Sequence, residues 1–188
     1  MQLEMNGKQV EAQEGMTLLN VARANGITIP TLCYNERLKP EGSCRMCMVE
    51  VDDGRRKRLV ASCVYPAKEG IKVQTDTERV QKIRRMIVEL LWPSVPGLAE
   101  AYGITESRFV PKQTECCLCG LCARYCSEIN NRQVAYFKGR GIERELAIAP
   151  GQEGECVYCR DCFDLCPGGL IVNLCDTAYS PSAAAPVS

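Results

Sequence analysis

Residues 116–126 read CCLCGLCARYC, and residues 156–167 read CVYCRDCFDLCP. Both stretches space their cysteines as C-x2-C-x2-C-x3-C. The first run is Cys116, Cys119, Cys122 and Cys126; the second, offset by 40 residues, is Cys156, Cys159, Cys162 and Cys166, followed by Pro167. Three cysteines at this interval can curl one loop around a compact iron–sulfide core, whose iron prefers soft thiolate donors. The fourth ligand must come from elsewhere, and in paired runs of this type the last cysteine of each serves the other site. The spacing therefore predicts one 4Fe–4S cluster on Cys116, Cys119, Cys122 and Cys166, and a second on Cys126, Cys156, Cys159 and Cys162. Because each site draws on both runs, folding and cluster assembly are coupled. Structural zinc uses isolated C-x2-C pairs with four ligands per ion, which a third cysteine at x2 and a terminal one at x3 do not match. Gly120 and the pair Gly168–Gly169 leave room for close backbone approach and are equally ordinary turn residues.

A third set lies upstream: Cys33, Cys44, Cys47 and Cys63, spaced C-x10-C-x2-C-x15-C. The first gap is longer than in the plant-type pattern C-x4-C-x2-C. Spacing alone leaves zinc or a second cluster type open; the elements around the set tip the reading toward a 2Fe–2S cluster. Strands at 3–5 and 9–12 flank Asn6-Gly7, the strongest short hairpin signal. Thr17 can cap a helix through Leu18, Leu19, Val21 and Ala22, with Asn25-Gly26 as its stop. Strands follow at 48–51, 59–62 and 71–75, with Asp53-Gly54 turning the second hairpin. This order predicts a helix packed on one face of a small mixed sheet, with the cysteine-bearing loop 33–47 held at its ends by regular structure.

Asp76 or Thr77 can cap a second helix, with Val80, Ile83, Ile87, Leu90 and Leu91 as its apolar residues and Arg79, Lys82, Arg84 and Arg85 on the remaining face. Pro93 and Pro96-Gly97 end it. A short helix near 98–102 is expected in the connector. The fold class is α+β, with domains at 1–76 (2Fe–2S), 77–113 (helical connector without cluster ligands) and 114–176 (two 4Fe–4S clusters). A flexible tail at 177–188 is rich in small residues and proline.

Composition narrows the function classes. Lys+Arg and Asp+Glu are equal at 23 each, so net charge gives no support to nucleic-acid or anionic-membrane binding. Aromatics make up only 6% of the chain, so the cores are modest and metal staples are expected to stabilise them. Fourteen cysteines would suit a secreted disulfide scaffold, but the N-terminal MQLEMNGKQV lacks the apolar stretch of a signal peptide. No segment reaches the length of a membrane span, the stretch at 86–92 being broken by Glu89 and stopped by Pro93. Cytoplasmic thiolates available to metal, without direct membrane insertion, are the expectation.

The runs TLCYNERLKPEGSCRMCMVEV and LVASCVYPAKEGIKVQTDTERV resemble the N-terminal 2Fe–2S domain of the large iron–sulfur subunit of NADH:quinone oxidoreductase. The same module occurs in iron-only hydrogenases and in the diaphorase small subunit of NAD-reducing hydrogenases. CCLCGLCARYC and CVYCRDCFDLCPGG resemble the bacterial-type two-cluster ferredoxin module that follows it there. The resemblance covers roughly residues 1–176. It implies a β-grasp domain with cluster ligands Cys33, Cys44, Cys47 and Cys63, and a place beside a flavin subunit that handles NAD(P)H. Members of this family commonly carry a further 4Fe–4S cluster on one histidine and three cysteines between the two modules. This chain has no histidine at all, and residues 92–113 contain no cysteine. That cluster is expected to be absent, leaving one 2Fe–2S and two 4Fe–4S clusters.

The chain also stops where the catalytic domain of longer relatives would begin, and it has no glycine-rich dinucleotide fingerprint. The expected role is an electron-relay subunit with no substrate-converting site of its own, in a hetero-oligomer. It would connect a flavoprotein NAD(P)H-oxidising subunit to a distal catalytic subunit such as a hydrogenase or formate dehydrogenase, and flavin-based bifurcation is compatible with such an assembly. The competing reading is a free-standing polyferredoxin, whose transient encounters call for a strongly charged docking face. Outside the three sets, Cys117 is read as a spectator thiol and Cys175 as a small core residue. Residues 55–58 are read as a solvated cationic loop. Tyr125, Tyr136, Tyr158 and Trp92 are read as core or cluster-shielding groups.

Overall fold

The computed structural model describes residues 1–109 and 115–178. The end of the expected connector and all but the start of the expected tail lie outside the described residues. Two compact units are present. The first comprises residues 1–35, 39–92 and 97–109; the second comprises 36–38, 93–96 and 115–178.

The first unit begins with a hairpin, β1 (Gln2–Met5) and β2 (Lys8–Glu11), paired Leu3 to Val10. Asn6 and Gly7 both take positive φ, 52° and 79°, as the tight turn requires. Strand alternation sends Leu3 and Met5 inward while Gln2 stays exposed. Thr17 caps α1 (Leu18–Ala24) by accepting from the Asn20 amide at 3.3 Å, and Asn25 closes it by donating from Nδ2 to the Val21 carbonyl. A second hairpin, β3 (Met48–Asp52) and β4 (Lys57–Ala61), turns where Asp53 Oδ1 accepts from the amides of Arg55 and Arg56.

Strand β5 (Lys72–Gln74) runs parallel to β1 and antiparallel to β3, joining the hairpins into one mixed sheet of order β2-β1-β5-β3-β4. Helix α1 buries Leu18, Leu19, Val21 and Ala22 with Leu3, Met5, Val49, Val51 and Val73 in a single core. One helix grasped by a mixed sheet of this order is a β-grasp domain of the α+β class.

Helix α2 (Glu78–Leu91) is capped by Thr77, which accepts from Val80 N at 3.3 Å, but its buried face differs from the apolar residues read off the sequence. Val80, Arg84, Val88 and Glu89 are buried, whereas Leu90 and Met86 are exposed. Val80, Arg84 and Val88 recur at every fourth residue, so the buried stripe passes through an arginine. Arg84 is therefore not on a solvated cationic face: its Nε donates to Met46 O at 3.2 Å and its Nη2 to Met48 O at 2.8 Å. The other buried polar residue, Glu89, receives both guanidinium nitrogens and the amide of Arg108, at 2.7 to 2.8 Å. The short helix of the connector, α3, is Pro96–Ala101.

The second unit places α4 (Leu121–Arg124) and a π-helical turn (Tyr125–Ile129) before a hairpin of β6 (Ala135–Lys138) and β7 (Glu145–Ile148). Helix α5 (Glu153–Cys159), a 3-10 turn (Phe163–Leu165) and α6 (Leu170–Ala178) complete it. Tyr125 lies in its core with Leu121, Val134, Leu146 and Ile171. Tyr158 does not shield a core: it is 80% exposed.

Candidate metal centre

Within each of the three cysteine sets the chain is bent by a non-glycine residue in the left-handed region. Arg45 (φ 60°) lies between Cys44 and Cys47, Leu118 (φ 53°) between Cys116 and Cys119, and Arg160 (φ 54°) between Cys159 and Cys162. Such residues cost free energy and persist where the surroundings over-determine them. Alternation of left- and right-handed residues turns successive amides inward, a shape that favours negative charge. Accordingly, Cys44 N donates to Cys33 Sγ at 3.4 Å, Met46 N to Cys44 Sγ at 3.5 Å, and Leu118 N to Cys116 Sγ at 3.4 Å.

In the first unit the four cysteines fall into two hydrogen-bonded pairs. Cys33 donates to Cys44, which holds the Cys44 thiol down to about 6 and raises Cys33. Cys63 donates to Cys47 with the same result, Cys47 falling to about 6 while Cys63 rises. The Ser62 hydroxyl and amide also bind the Cys47 carbonyl, at 2.8 and 3.1 Å, tying this loop to the end of β4. Two pairs of thiols are the donor set that two bridged irons need, since each iron takes two.

In the second unit the cysteines group across the two runs rather than within them. Cys126, Cys156, Cys159 and Cys162 line one small pocket, together with Tyr125, Val134 and Ala135. Burial pushes Cys162 up to about 12, and neighbouring Cys156, Cys126 and Cys159 add to the rise. Burial also raises Cys116 and Cys122, with Cys119 and Cys166 as charged neighbours of both. Cys126 thus shares a pocket with the first three cysteines of the other run, and Cys166 is a neighbour of Cys116 and Cys122. Two residues past Cys166, Gly168 lies against the backbone: a Cβ there would collide with the carbonyl oxygen of Glu115 and come within 2.9 Å of that of Ser94.

Among the described residues, no group of three Cys, Asp or Glu side chains closes on a point suited to a single metal ion. In an iron–sulfur core each thiolate binds a single iron, two thiolates to each iron of a 2Fe–2S site and one to each iron of a 4Fe–4S site, so the sulfurs stand apart around it. The paired thiols of the first unit and the four-cysteine cavity of the second both fit clusters of this kind.

Both cysteines outside the sets adjoin ligand candidates. Cys117 is buried and donates to Cys119, and Cys175, fully buried on α6, places Sγ 2.8 Å from Cys156 Sγ. Neither contact could be read from spacing. Residues 55–57 are exposed, as expected of a solvated loop, while Arg58 is half-buried, paired with Asp53 at 3.1 Å and hydrogen bonded to Tyr65.

A 2Fe-2S iron-sulfur cluster binding domain family matches residues 1–78. The chain is 29% identical over 202 residues to the NADPH-Fe(3+) oxidoreductase subunit alpha of Geobacter sulfurreducens, covering 91% of this chain and 24% of that protein. It is also 29% identical over 212 residues to the NADP-reducing hydrogenase subunit HndD of Solidesulfovibrio fructosivorans, covering 91% of this chain and 36% of the relative. The chain therefore spans about a quarter to a third of the length of these curated relatives. A chain in the crystal structure of an NAD+-reducing [NiFe]-hydrogenase in the H2-reduced state superposes with a TM-score of 0.69 at 30% identity, covering 80% of this chain and 76% of that one. Among the described residues, no helix is long and apolar enough to cross a membrane.

Proposed function

The chain belongs to the family of iron–sulfur subunits shared by NADH:quinone oxidoreductases and NAD-reducing hydrogenases, and on that premise we propose that it is a three-cluster electron relay. Cys33 with Cys44, and Cys47 with Cys63, would each hold one iron of a 2Fe–2S cluster. Cys116, Cys119, Cys122 and Cys166 would hold one 4Fe–4S cluster, and Cys126, Cys156, Cys159 and Cys162 the other. When bound, such clusters supply one-electron transfer. The protein's own part is to bind the irons, exclude water and direct hydrogen bonds at sulfur.

The observation that carries this reading is the crossed grouping in the second unit, where Cys126 shares a cavity with Cys156, Cys159 and Cys162. In a crossed arrangement each site would draw on both runs, and Cys162 is a charged neighbour of Cys122. The chain has no histidine and no cysteine between residues 64 and 115, so a histidine-ligated fourth cluster has no ligands in the connector.

Electrons would enter from a flavoprotein subunit that oxidises NAD(P)H and leave to a distal catalytic subunit such as a hydrogenase or formate dehydrogenase, in a cytoplasmic hetero-oligomer. Purification from the native host under anaerobic conditions tests this. The expected result is co-purification with a flavoprotein, and bleaching of the iron–sulfur absorption on adding NADH or NADPH. A chain that purifies alone with its full iron content, and that no flavoprotein in the host reduces with either nucleotide, would overturn it.

A further inference from the structure

Two side chains donate hydrogen bonds to cysteines of the Cys126, Cys156, Cys159 and Cys162 set without belonging to it. Cys175 lies on α6 with none of its surface exposed, and its Sγ is 2.8 Å from Cys156 Sγ. It does not line the cavity that the four cysteines share. Asn130 follows the π-helical turn, and its Nδ2 donates both to Cys159 Sγ at 3.3 Å and to Asp161 Oδ2 at 3.1 Å. The Asp161 carboxylate fixes the amide so that one N–H remains aimed at sulfur.

The direction of the Cys175 contact follows from proton count. A cysteine that ligates iron is a thiolate without a proton, whereas Cys175 is a thiol with one, so only Cys175 can donate. The donor side of the contact is buried: Cys175 has none of its surface exposed and packs with Cys156 and Ile171 in one core.

Hydrogen bonds to cluster sulfurs favour the more negative state and so raise the reduction potential. When one electron arrives from a flavin or a neighbouring cluster, no bond forms or breaks and the ligand thiolates take on part of the added charge. A donor already pointing at a thiolate stabilises that state more than the oxidised one. Resting on the two-cubane reading above, we propose that Cys175 and Asn130 set the potential of the second 4Fe–4S cluster by donating to two of its four ligands.

The test is an anaerobic potentiometric titration of the full chain followed by low-temperature EPR, with iron and sulfide assayed on each sample. Cys175→Ala and Asn130→Ala are each expected to lower one 4Fe–4S midpoint, leaving the other cubane and the 2Fe–2S signal in place. A tenfold change in the reduction equilibrium, about 59 mV for one electron, is the expected scale. Cys175→Ser keeps a donor of similar size and should restore the midpoint; this separates donation from packing. Should Cys175→Ala fail to assemble, Asn130→Ala and Cys175→Ser decide the matter. Unchanged midpoints in Asn130→Ala, or equal falls in Cys175→Ser and Cys175→Ala, would overturn the proposal. A wild-type chain lacking the iron of two cubanes would instead overturn the reading on which it rests.

Discussion

Arg84 donates from Nη2 to the carbonyl oxygen of Met48 at 2.8 Å, while its Nε holds the carbonyl of Met46, so one buried guanidinium clamps both sides of Cys47. A helix outside the cysteine loop thereby fixes the backbone of a ligand candidate. Arg84→Leu removes the clamp and leaves two buried carbonyls without donors, at a cost of about 3 kcal/mol. Thermal denaturation should show that loss, and the visible circular dichroism of the 2Fe–2S site should decay first. Arg84→Lys, which can reach only one carbonyl well, should fall between.

Gly168→Ala and Gly97→Ala should move stability in opposite directions. At Gly168 an added methyl meets two backbone carbonyls, Glu115 and Ser94, with no flexible side chain to yield. A cost of about 3 kcal/mol and a lower iron content are expected. At Gly97, inside α3, a methyl meets nothing within 4 Å, and alanine should stabilise the helix by about 0.5–1 kcal/mol. Chemical denaturation with iron assay on both variants checks the contrast.

The Glu89–Arg108 pair predicts a specific pH dependence. The Arg108 side chain and amide hold Glu89 down to about 2, below the ordinary glutamate value of about 4.3. A carboxylate depressed on folding contributes stability that is fully present above its unfolded value and is lost as pH falls through its folded value. Glu89→Gln should therefore lower the melting temperature by a constant amount above about pH 5. The gap to wild type should narrow between about pH 4.3 and 2, as measured by differential scanning calorimetry at matched ionic strength.

Crossed ligation can be tested by pairing substitutions. Cys126→Ser and Cys156→Ser fall in the same group, so the double variant should lose about four irons, no more than either single change. Cys126→Ser with Cys166→Ser touches both groups and should lose about eight. If each cluster drew all four ligands from a single run, Cys126→Ser with Cys156→Ser would also lose about eight, so this pair separates the two arrangements.

The first unit was largely legible because its signals are local. Asn6-Gly7 and Asp53-Gly54 turn their hairpins, and Thr17 and Thr77 cap their helices, through contacts spanning a few residues. Arg84 was misread because its partners, Met46 and Met48, lie more than 35 residues away in sequence. Without them an arginine between Val80 and Val88 reads as surface. The hairpin of β6 and β7 was not drawn from the sequence, although Gly139 and Gly141, both with positive φ, marked its turn. Tyr158 was misplaced because its position between Cys156 and Cys159 says nothing of which way the loop faces. The Cys175–Cys156 contact is likewise tertiary, and spacing carried no trace of it.

The proposed relay has three clusters without a histidine-ligated fourth. Mössbauer spectroscopy of the iron-57-enriched chain, purified anaerobically with quantitative iron and zinc analysis, addresses it most directly. About ten irons per chain are expected, one fifth of the absorption from a 2Fe–2S site and four fifths from 4Fe–4S sites, with negligible zinc. About fourteen irons, or stoichiometric zinc in place of any cluster, would contradict it.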